Sequence, residues 1–396
     1  MRMLFVIGHL GDYHVPRYEA LMRLAARRGD EVCLVEVFGR SGFYSFPQTR
    51  RASFFEQRHE RVTTLEKDVS DAGGRWLSVF AQLTAIIRRV EPDVVVTLGY
   101  DTPYSLWLCF VRRFTRPFAL IYMSDSKADD GSRSNIKEWL KRRLVRRFDA
   151  ALVAGERHRD YAEFLGIPRW RSRVGFDVID VDQFSRRAQA ASSTADEVRG
   201  LRGLPRRYVL CVSRFVARKN VDVVINAFAS SRLADQAIEL VLIGQGSDEP
   251  ALRNLVSQRE LDGSVRFLDA MPNADMPAIY GLADFVVLAS EFDQWGLCIN
   301  EAFAASRTAI VTHTCGVARE LVLNGVNGYV IEPGDADMLA ARMRTLALDD
   351  ALRERLSARA RLTVEQWKPS VFASNLMELA DCVLDPGEVV SRAEHE

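Results

Sequence analysis

The chain has 396 residues, 48% of them hydrophobic and 27% charged, with 53 basic and 53 acidic side chains. That composition excludes wholesale disorder and collagen-like repetition, and at ~150 residues per domain the length suggests two or three domains. The zero net charge argues against a general nucleic-acid binder, yet it averages opposites: residues 1–180 hold 30 Lys+Arg and 23 Asp+Glu, residues 181–396 hold 23 and 30.

The first apolar run, residues 4–7, ends at once in Gly8-His9-Leu10-Gly11-Asp12-Tyr13-His14. It is too short for a signal-peptide core and reads as a first β-strand. Residues 31–37, 93–98, 118–122 and 150–153 are further short apolar runs, continuous rather than alternating, as in buried parallel strands. Between them lie helical patterns such as 73–90, with Trp76, Phe80, Leu83 and Ile87 on one face. Residues 136–148 read IKEWLKRRLVRRF, an i, i+4 apolar stripe among six cations. The favoured reading packs that stripe on the sheet and leaves a solvated basic outer face; the alternative is an interfacial helix on an anionic leaflet.

Residues 186–205, rich in Ala, Ser, Arg and Gly without an apolar stripe, read as a linker or insert. A second α/β series follows, with strands at 208–212, 240–243, 264–268, 285–288, 309–311 and 328–331, and helices closing at 337–346, 351–364 and 369–383. The expected fold class is α/β, with two doubly wound, Rossmann-like parallel-sheet domains facing a central cleft. The domains are 1–185 and 206–368, a helix at 369–385 returning to the first domain, and a frayed tail at 386–396. No apolar stretch approaches the ~18 residues that span a bilayer. Six scattered cysteines without a CxxC argue against a zinc site and fit a reducing cytosol. The protein is therefore expected to be cytoplasmic, with peripheral attachment to the inner face of a membrane left open.

Four strand-end stretches of the second half carry chemistry. In Ser213-Arg214-Phe215-Val216-Ala217-Arg218-Lys219-Asn220, Arg214 and Lys219 flank a short turn before a helix, where two cations can straddle a diphosphate. The alternative is two solvated cations. Gly244 and Gly246 form a glycine pair after a strand, weak alone and often only a turn. In Ser290 to Ala302 a loop leads into a helix expected to start near Ile299. It places seven residues between Asp293 and Glu301, with the Gly296 and Leu297 amides ahead of the helix. A carboxylate there can accept both hydroxyls of a ribose, and the amides can donate to phosphate. Otherwise Glu301 answers the helix dipole and Trp295 packs. The fourth stretch is Thr312 to Glu320, expected to lie beside the third.

These motifs occur together and in order: S-R-x4-K-N, Asp293-x7-Glu301 with W-G-L inside it, then Asn327-Gly328-Tyr329 and Glu332-Pro333-Gly334-Asp335. In this the chain resembles the retaining glycosyltransferases of family four, with the GT-B fold, strongly over 208–345 and weakly over the first half. The resemblance implies a nucleoside-diphosphate sugar as co-substrate and no metal or other cofactor. Arg214 and Lys219 match the pair that holds the diphosphate, and Glu301 matches the ribose-binding acid. Asp293 takes the place of the acid near the transferred sugar, and Gly296 and Leu297 match amides facing phosphate and sugar. Residues from Leu268 to Met271 fall where the family contacts the nucleobase. The acceptor, a glycan, lipid or small metabolite, would bind the first domain. In the mechanism usually proposed for the family, the leaving diphosphate helps deprotonate the acceptor hydroxyl.

Two departures stand out. The first acid is Asp rather than Glu. Where many members carry a histidine after the fourth strand, this chain has Ser124-Asp125, either a substrate-facing pair or a helix N-cap. In the first loop Asp12 and His14 are candidates to face the acceptor, His14 otherwise being a surface loop histidine. Two rivals remain: a sugar-nucleotide epimerase or phosphorylase of the same fold, and a non-catalytic nucleotide-binding subunit of a membrane assembly.

Overall fold

The computed structural model describes residues 1–40, 48–70, 75–131 and 134–385. The chain divides into two compact units: Met1–Ala128, Ser132–Val178 and Pro369–Glu396 form the first, Asp129–Gly131 and Ile179–Lys368 the second. The tail expected to fray, 386–396, lies outside the described residues.

The first unit alternates strand and helix: β1 (Arg2–Ile7), α1 (Val15–Arg28), β2 (Glu31–Arg40), α2 (Thr49–Gln57), β3 (Val62–Ser70), α3 (Trp76–Val90), β4 (Val94–Leu98), α4 (Pro103–Val111), β5 (Ala119–Ser124), α5 (Asn135–Val145), β6 (Ala150–Val153), α6 (Glu156–Leu165) and β7 (Ser172–Val174). The strands form one parallel sheet in the order β3-β2-β1-β4-β5-β6-β7. Strands β1, β4, β5 and β6 are the unbroken apolar runs of the sequence because helices cover both their faces. Two strands escape that pattern. Edge strand β3 reads VTTLEKDVS and is polar, and β7 has three residues.

The second unit comprises α7 (Val181–Ser193), α8 (Ala195–Arg202), β8 (Tyr208–Val212), α9 (Val221–Ser231), β9 (Glu239–Ile243), α10 (Glu249–Gln258), β10 (Val265–Leu268), α11 (Met276–Leu282), β11 (Phe285–Leu288), α12 (Leu297–Ala304), β12 (Ala309–Thr312), β13 (Gly328–Ile331), α13 (Ala336–Leu348) and α14 (Asp350–Thr363). Its parallel sheet runs β10-β9-β8-β11-β12-β13. The strand order reverses between β8 and β11, the switch point at which loops diverge and open sheets bind ligands. The last helix, α15 (Pro369–Leu384), belongs to the first unit. There it buries Phe372, Leu376, Met377 and Leu379, with Phe372 edge-on to Tyr18 of α1 at 6.2 Å.

Two sequence expectations need correction here. Residues 186–205 are not a linker: helices α7 and α8 occupy them, and α7 packs against α11. Phe184 stands edge-on to Tyr280 of α11 at 5.6 Å, and the buried residues Ala188 and Ala191 of α7 are small and form no conspicuous stripe. Gly281 of α11 permits the approach, since a Cβ there would stand 2.6 Å from the Ala188 carbonyl oxygen. The stripe of α5 does not lie on the sheet either. Val145 is buried and Leu144 joins the core, but Ile136 and Leu140 stay exposed at 72% and 54%. A four-residue repeat drifts about 40° per step on a helix of 3.6 residues per turn, so the stripe faces inward only at its C-terminal end.

Candidate functional site

The four chemistry-bearing stretches of the second half stand at the carboxyl ends of strands, and two of their loops flank the switch point. After β8 the chain makes a tight turn through Ala217–Lys219 and enters α9 from Asn220, whose φ of +50° reverses its direction. After β11 the loop 289–296 ends at Gly296, which caps α12 at φ +109°. The structure brings the two loops together: Lys219 Nζ donates to Asp293 Oδ2, forming an ion pair buried on both sides. The Glu291 amide donates to the Arg218 carbonyl (2.8 Å), and the Arg218 guanidinium donates to the Phe292 carbonyl (3.2 Å). Arg214 is exposed and forms no ion pair among the described residues, which leaves its cation available at the same strand end.

The loop carrying Asp293 is held on its other side by the stretch after β12. Gly316 N donates to the Asp293 carbonyl and Val317 N to the Trp295 carbonyl, each at 3.0 Å. Thr312 Oγ1 donates to the Ser290 carbonyl at 2.6 Å. A Cβ at Gly316 would lie 1.9 Å from the Gln294 carbonyl oxygen, so only glycine allows this seating. Trp295 is buried and its indole N–H donates to Asn300 Oδ1 at 2.9 Å, tying the loop to α12.

Helix α12 starts at Leu297, two residues earlier than the sequence suggested, because Gly296 supplies the cap. Glu301 therefore sits in the second turn rather than the first. It is half-buried, and desolvation raises its carboxyl pKa to about 7, against a partial lowering by the Tyr280 hydroxyl beside it. A carboxyl poised there is ready to ionise when hydroxyl donors approach.

The glycine pair has a firm structural reason. At Gly244 a Cβ would meet the Ser213 carbonyl oxygen at 1.9 Å, and at Gly246 the Phe215 carbonyl oxygen at 2.1 Å. Phe215 N donates to Gln245 O at 3.0 Å, so Gly244 and Gly246 seat the cation-bearing loop directly on the end of β9. Leu268 closes β10 and its carbonyl accepts from Gly244 N at 3.1 Å; Met271 follows half-buried in the loop. Asp335 caps α13 by accepting from Met338 N at 2.9 Å, and Asn327 ties its own loop to Leu321 and Thr363. These parts of the motif serve the fold.

In the first unit, Asp12 Oδ1 accepts from Arg51 N (2.8 Å) and orients the first turn of α2. His14 is not a freely solvated loop histidine. It is half-buried at the start of α1 with its ring tilted against that of Tyr13 (centroids 3.8 Å apart), and its Nδ1 accepts from Gly11 N at 3.3 Å. Burial, then Arg17 and His9, push its pKa well below the usual histidine range, so it is neutral at pH 7. Ser124 closes β5 and accepts from Ser126 N at 3.1 Å. The N-cap alternative for Ser124 and Asp125 fails, because α5 begins only at Asn135 behind Ser134.

One cluster was not anticipated. Glu36, fully buried in β2, accepts from Leu10 N (2.9 Å), Thr64 Oγ1 (2.9 Å) and Arg51 Nε (3.1 Å), with His9 Nδ1 at 3.2 Å. It fixes the first loop and α2 against the sheet. The available signal was an acidic residue inside an otherwise apolar buried strand, which demands such partners. Tyr280 opposite Glu301 carried no sequence signal.

Comparison with known proteins adds the relationship. Residues 195–363 match the model of the family described as glycosyl transferases group 1. Alpha-D-kanosaminyltransferase of Streptomyces kanamyceticus is 29% identical over 232 residues, covering 57% of this chain and 58% of that protein. D-inositol 3-phosphate glycosyltransferase of Salinispora arenicola is 32% identical over 212 residues, 51% of this chain and 47% of that one. The chain thus spans about half the length of the curated relatives it matches. Among solved structures, Anabaena HepE in complex with UDP and glucose aligns over 96% of this chain and 98% of its own, with a TM-score of 0.70 at 17% identity. A glycosyltransferase from Rickettsia africae aligns over 97% and 99%, with a TM-score of 0.75 at 16% identity. The latter two establish a shared GT-B fold. The sequence match falls on the half of the chain that holds the paired cation loop and Asp293-x7-Glu301 at the switch point: residues 195–363 are similar to the glycosyl transferases group 1 family.

Proposed function

We propose that the protein is a retaining glycosyltransferase that moves a sugar from a nucleoside-diphosphate sugar to an acceptor hydroxyl in glycan, glycolipid or glycosylated-metabolite biosynthesis. The observation that carries this reading is the meeting of Lys219, Asp293 and exposed Arg214 at the β8/β11 switch point, with Glu301 on the helix that follows. Arg214 and Lys219 neutralise the diphosphate as charge builds on the leaving group, work otherwise done by a divalent cation. The Gly296 and Leu297 amides, at the N-terminus of α12, donate to phosphate or sugar. Glu301 accepts the ribose hydroxyls, Asp293 lies toward the transferred sugar, and the loop from Leu268 to Met271 takes the base. On the acceptor side we place Asp12, His14, Ser124 and Asp125. A family relative acting on an inositol phosphate and a solved neighbour holding UDP and glucose support a nucleotide-sugar donor. Six free thiols fit a reducing cytoplasm.

The test is incubation with a panel of nucleotide sugars, with and without acceptors, followed by NMR of the anomeric proton. Transfer, or slow hydrolysis of one donor, with the donor's anomeric configuration retained and undiminished by EDTA, is the expected result. Donor epimerisation without acceptor would replace this reading with an epimerase. Tight donor binding with no turnover across the panel would replace it with a non-catalytic subunit.

A further inference from the structure

Helix α5 carries a surface the transfer reaction does not use. At 3.6 residues per turn, Ile136, Trp139, Leu140 and Arg143 fall within about 100° of arc, opposite buried Val145, and Arg147 follows in the turn that ends the helix. Ile136, Trp139 and Leu140 are 72%, 55% and 54% exposed. Arg143 stacks over the Trp139 ring at 5.1 Å, so cation and indole present one continuous surface. Lys137, Arg146 and Arg147 are exposed beside it and form no ion pair among the described residues. The acids nearby are already engaged. Glu138 pairs with Lys141 on the inward side, and Glu156, Asp160 and Glu163 of α6 face Arg169. The end of α4 adjoins through Arg112, whose guanidinium donates to the Arg147 carbonyl at 3.2 Å, and adds exposed Phe110 and Phe114.

We propose that this face docks on the surface of an anionic lipid bilayer, with Ile136, Trp139 and Leu140 entering the headgroup–acyl boundary and the arginines and Lys137 meeting lipid phosphates. Exposed aliphatic and indole side chains interleaved with unpaired cations on one helical arc fit a surface that is negative outside and apolar beneath. An acidic protein groove would satisfy the cations but not three apolar side chains on the same arc. No helix among the described residues is long and apolar enough to cross a membrane, so the contact lies in the interface plane. The inference goes beyond the transfer chemistry and does not depend on it.

The full chain should float with vesicles of phosphatidylcholine mixed with phosphatidylglycerol and remain behind with phosphatidylcholine alone. Raising salt should weaken the association. The pair Trp139→Ser/Leu140→Ser and the pair Arg143→Glu/Arg147→Glu should each lower partitioning by about tenfold or more. Because these side chains are exposed, far-UV circular dichroism and any nucleotide-induced thermal shift should not change. Brominated lipids should quench the wild type more than Trp139→Phe, which separates insertion from simple adsorption. Failure to float with the anionic vesicles, equal flotation of the variants, or quenching unaffected by Trp139→Phe would overturn the proposal. So would a dimer in light scattering that Leu140→Ser disperses, which would make the face a contact between copies.

Discussion

Lys219 and Asp293 are each about nine-tenths buried, so neither side chain is a free agent. Removing one partner strands the other's charge in a poorly solvated site, at a cost of about 3–5 kcal/mol. Lys219→Ala should therefore lower stability by roughly 3 kcal/mol in urea unfolding as well as abolish transfer. Lys219→Met/Asp293→Asn should recover most of the stability but none of the activity. If the double variant transferred sugar, the pair would be structural only. Glu301 gives a pH signature. Its folded pKa, near 7, lies above the ordinary carboxylate value, so its favourable contribution to stability is complete below pH 4.5 and is lost as pH rises through 7. Ligand binding runs the other way. An ionised carboxylate accepts two ribose hydroxyls, so nucleoside-diphosphate affinity should rise between pH 6 and 8, and Glu301→Gln should flatten the part of that rise not shared with the phosphate. Isothermal titration across that range, in buffers of different ionisation enthalpy, would show the proton released on binding.

The site elements depend on glycines where backbone meets backbone, and this is measurable. Gly316→Ala would force a Cβ to within 1.9 Å of a carbonyl oxygen, and Gly244→Ala would do the same at an unfavourable φ of +154°. Each should cost more than about 2 kcal/mol. Gly263→Ala, with open space around it, should stay within about 0.5 kcal/mol of wild type in thermal unfolding. How legible the elements were follows from what each buries. Strands β8 and β11 could be read to the residue because nearly every side chain is buried between helix layers. Edge strand β3 buries Val62 and only half-buries Leu65 and Val69, with polar residues between them, and so lacks the apolar run. The α7–α11 contact has one aromatic pair, Phe184 with Tyr280, and otherwise sets Gly281 against the Ala188 backbone, a proximity that leaves little trace in a hydrophobic pattern. At the site, the cation loop and the two acids announced themselves by spacing. The Glu36 cluster and Tyr280 depend on which residues the sheet order places side by side, and spacing along the chain does not carry that.

At the scale of the whole molecule, the second unit is nearly continuous in sequence and the first is not. A fragment spanning 179–368 should unfold cooperatively on its own and still give a thermal shift with nucleoside diphosphates. A chain ended at Lys368 should lose amide-exchange protection throughout α1 and β7 while the second unit keeps its own. If α1 stayed protected in that chain, α15 would be an accessory to the first unit's core rather than a part of it. The second unit carries more acidic than basic side chains, so under the proposed function an anionic donor would be held by the local cations Arg214 and Lys219 against that unit's average field. The placement of α15 also sets a timetable. Residues 369–384, which cover α1, leave the ribosome about 190 residues after the rest of the first unit is made. At ~5–20 residues per second that is about 10–40 s of synthesis. During that interval Tyr18 and its neighbours wait uncovered while the second unit has time to fold. The part of the protein made first is thus the last to be finished, and it stays exposed to chaperones and proteases throughout.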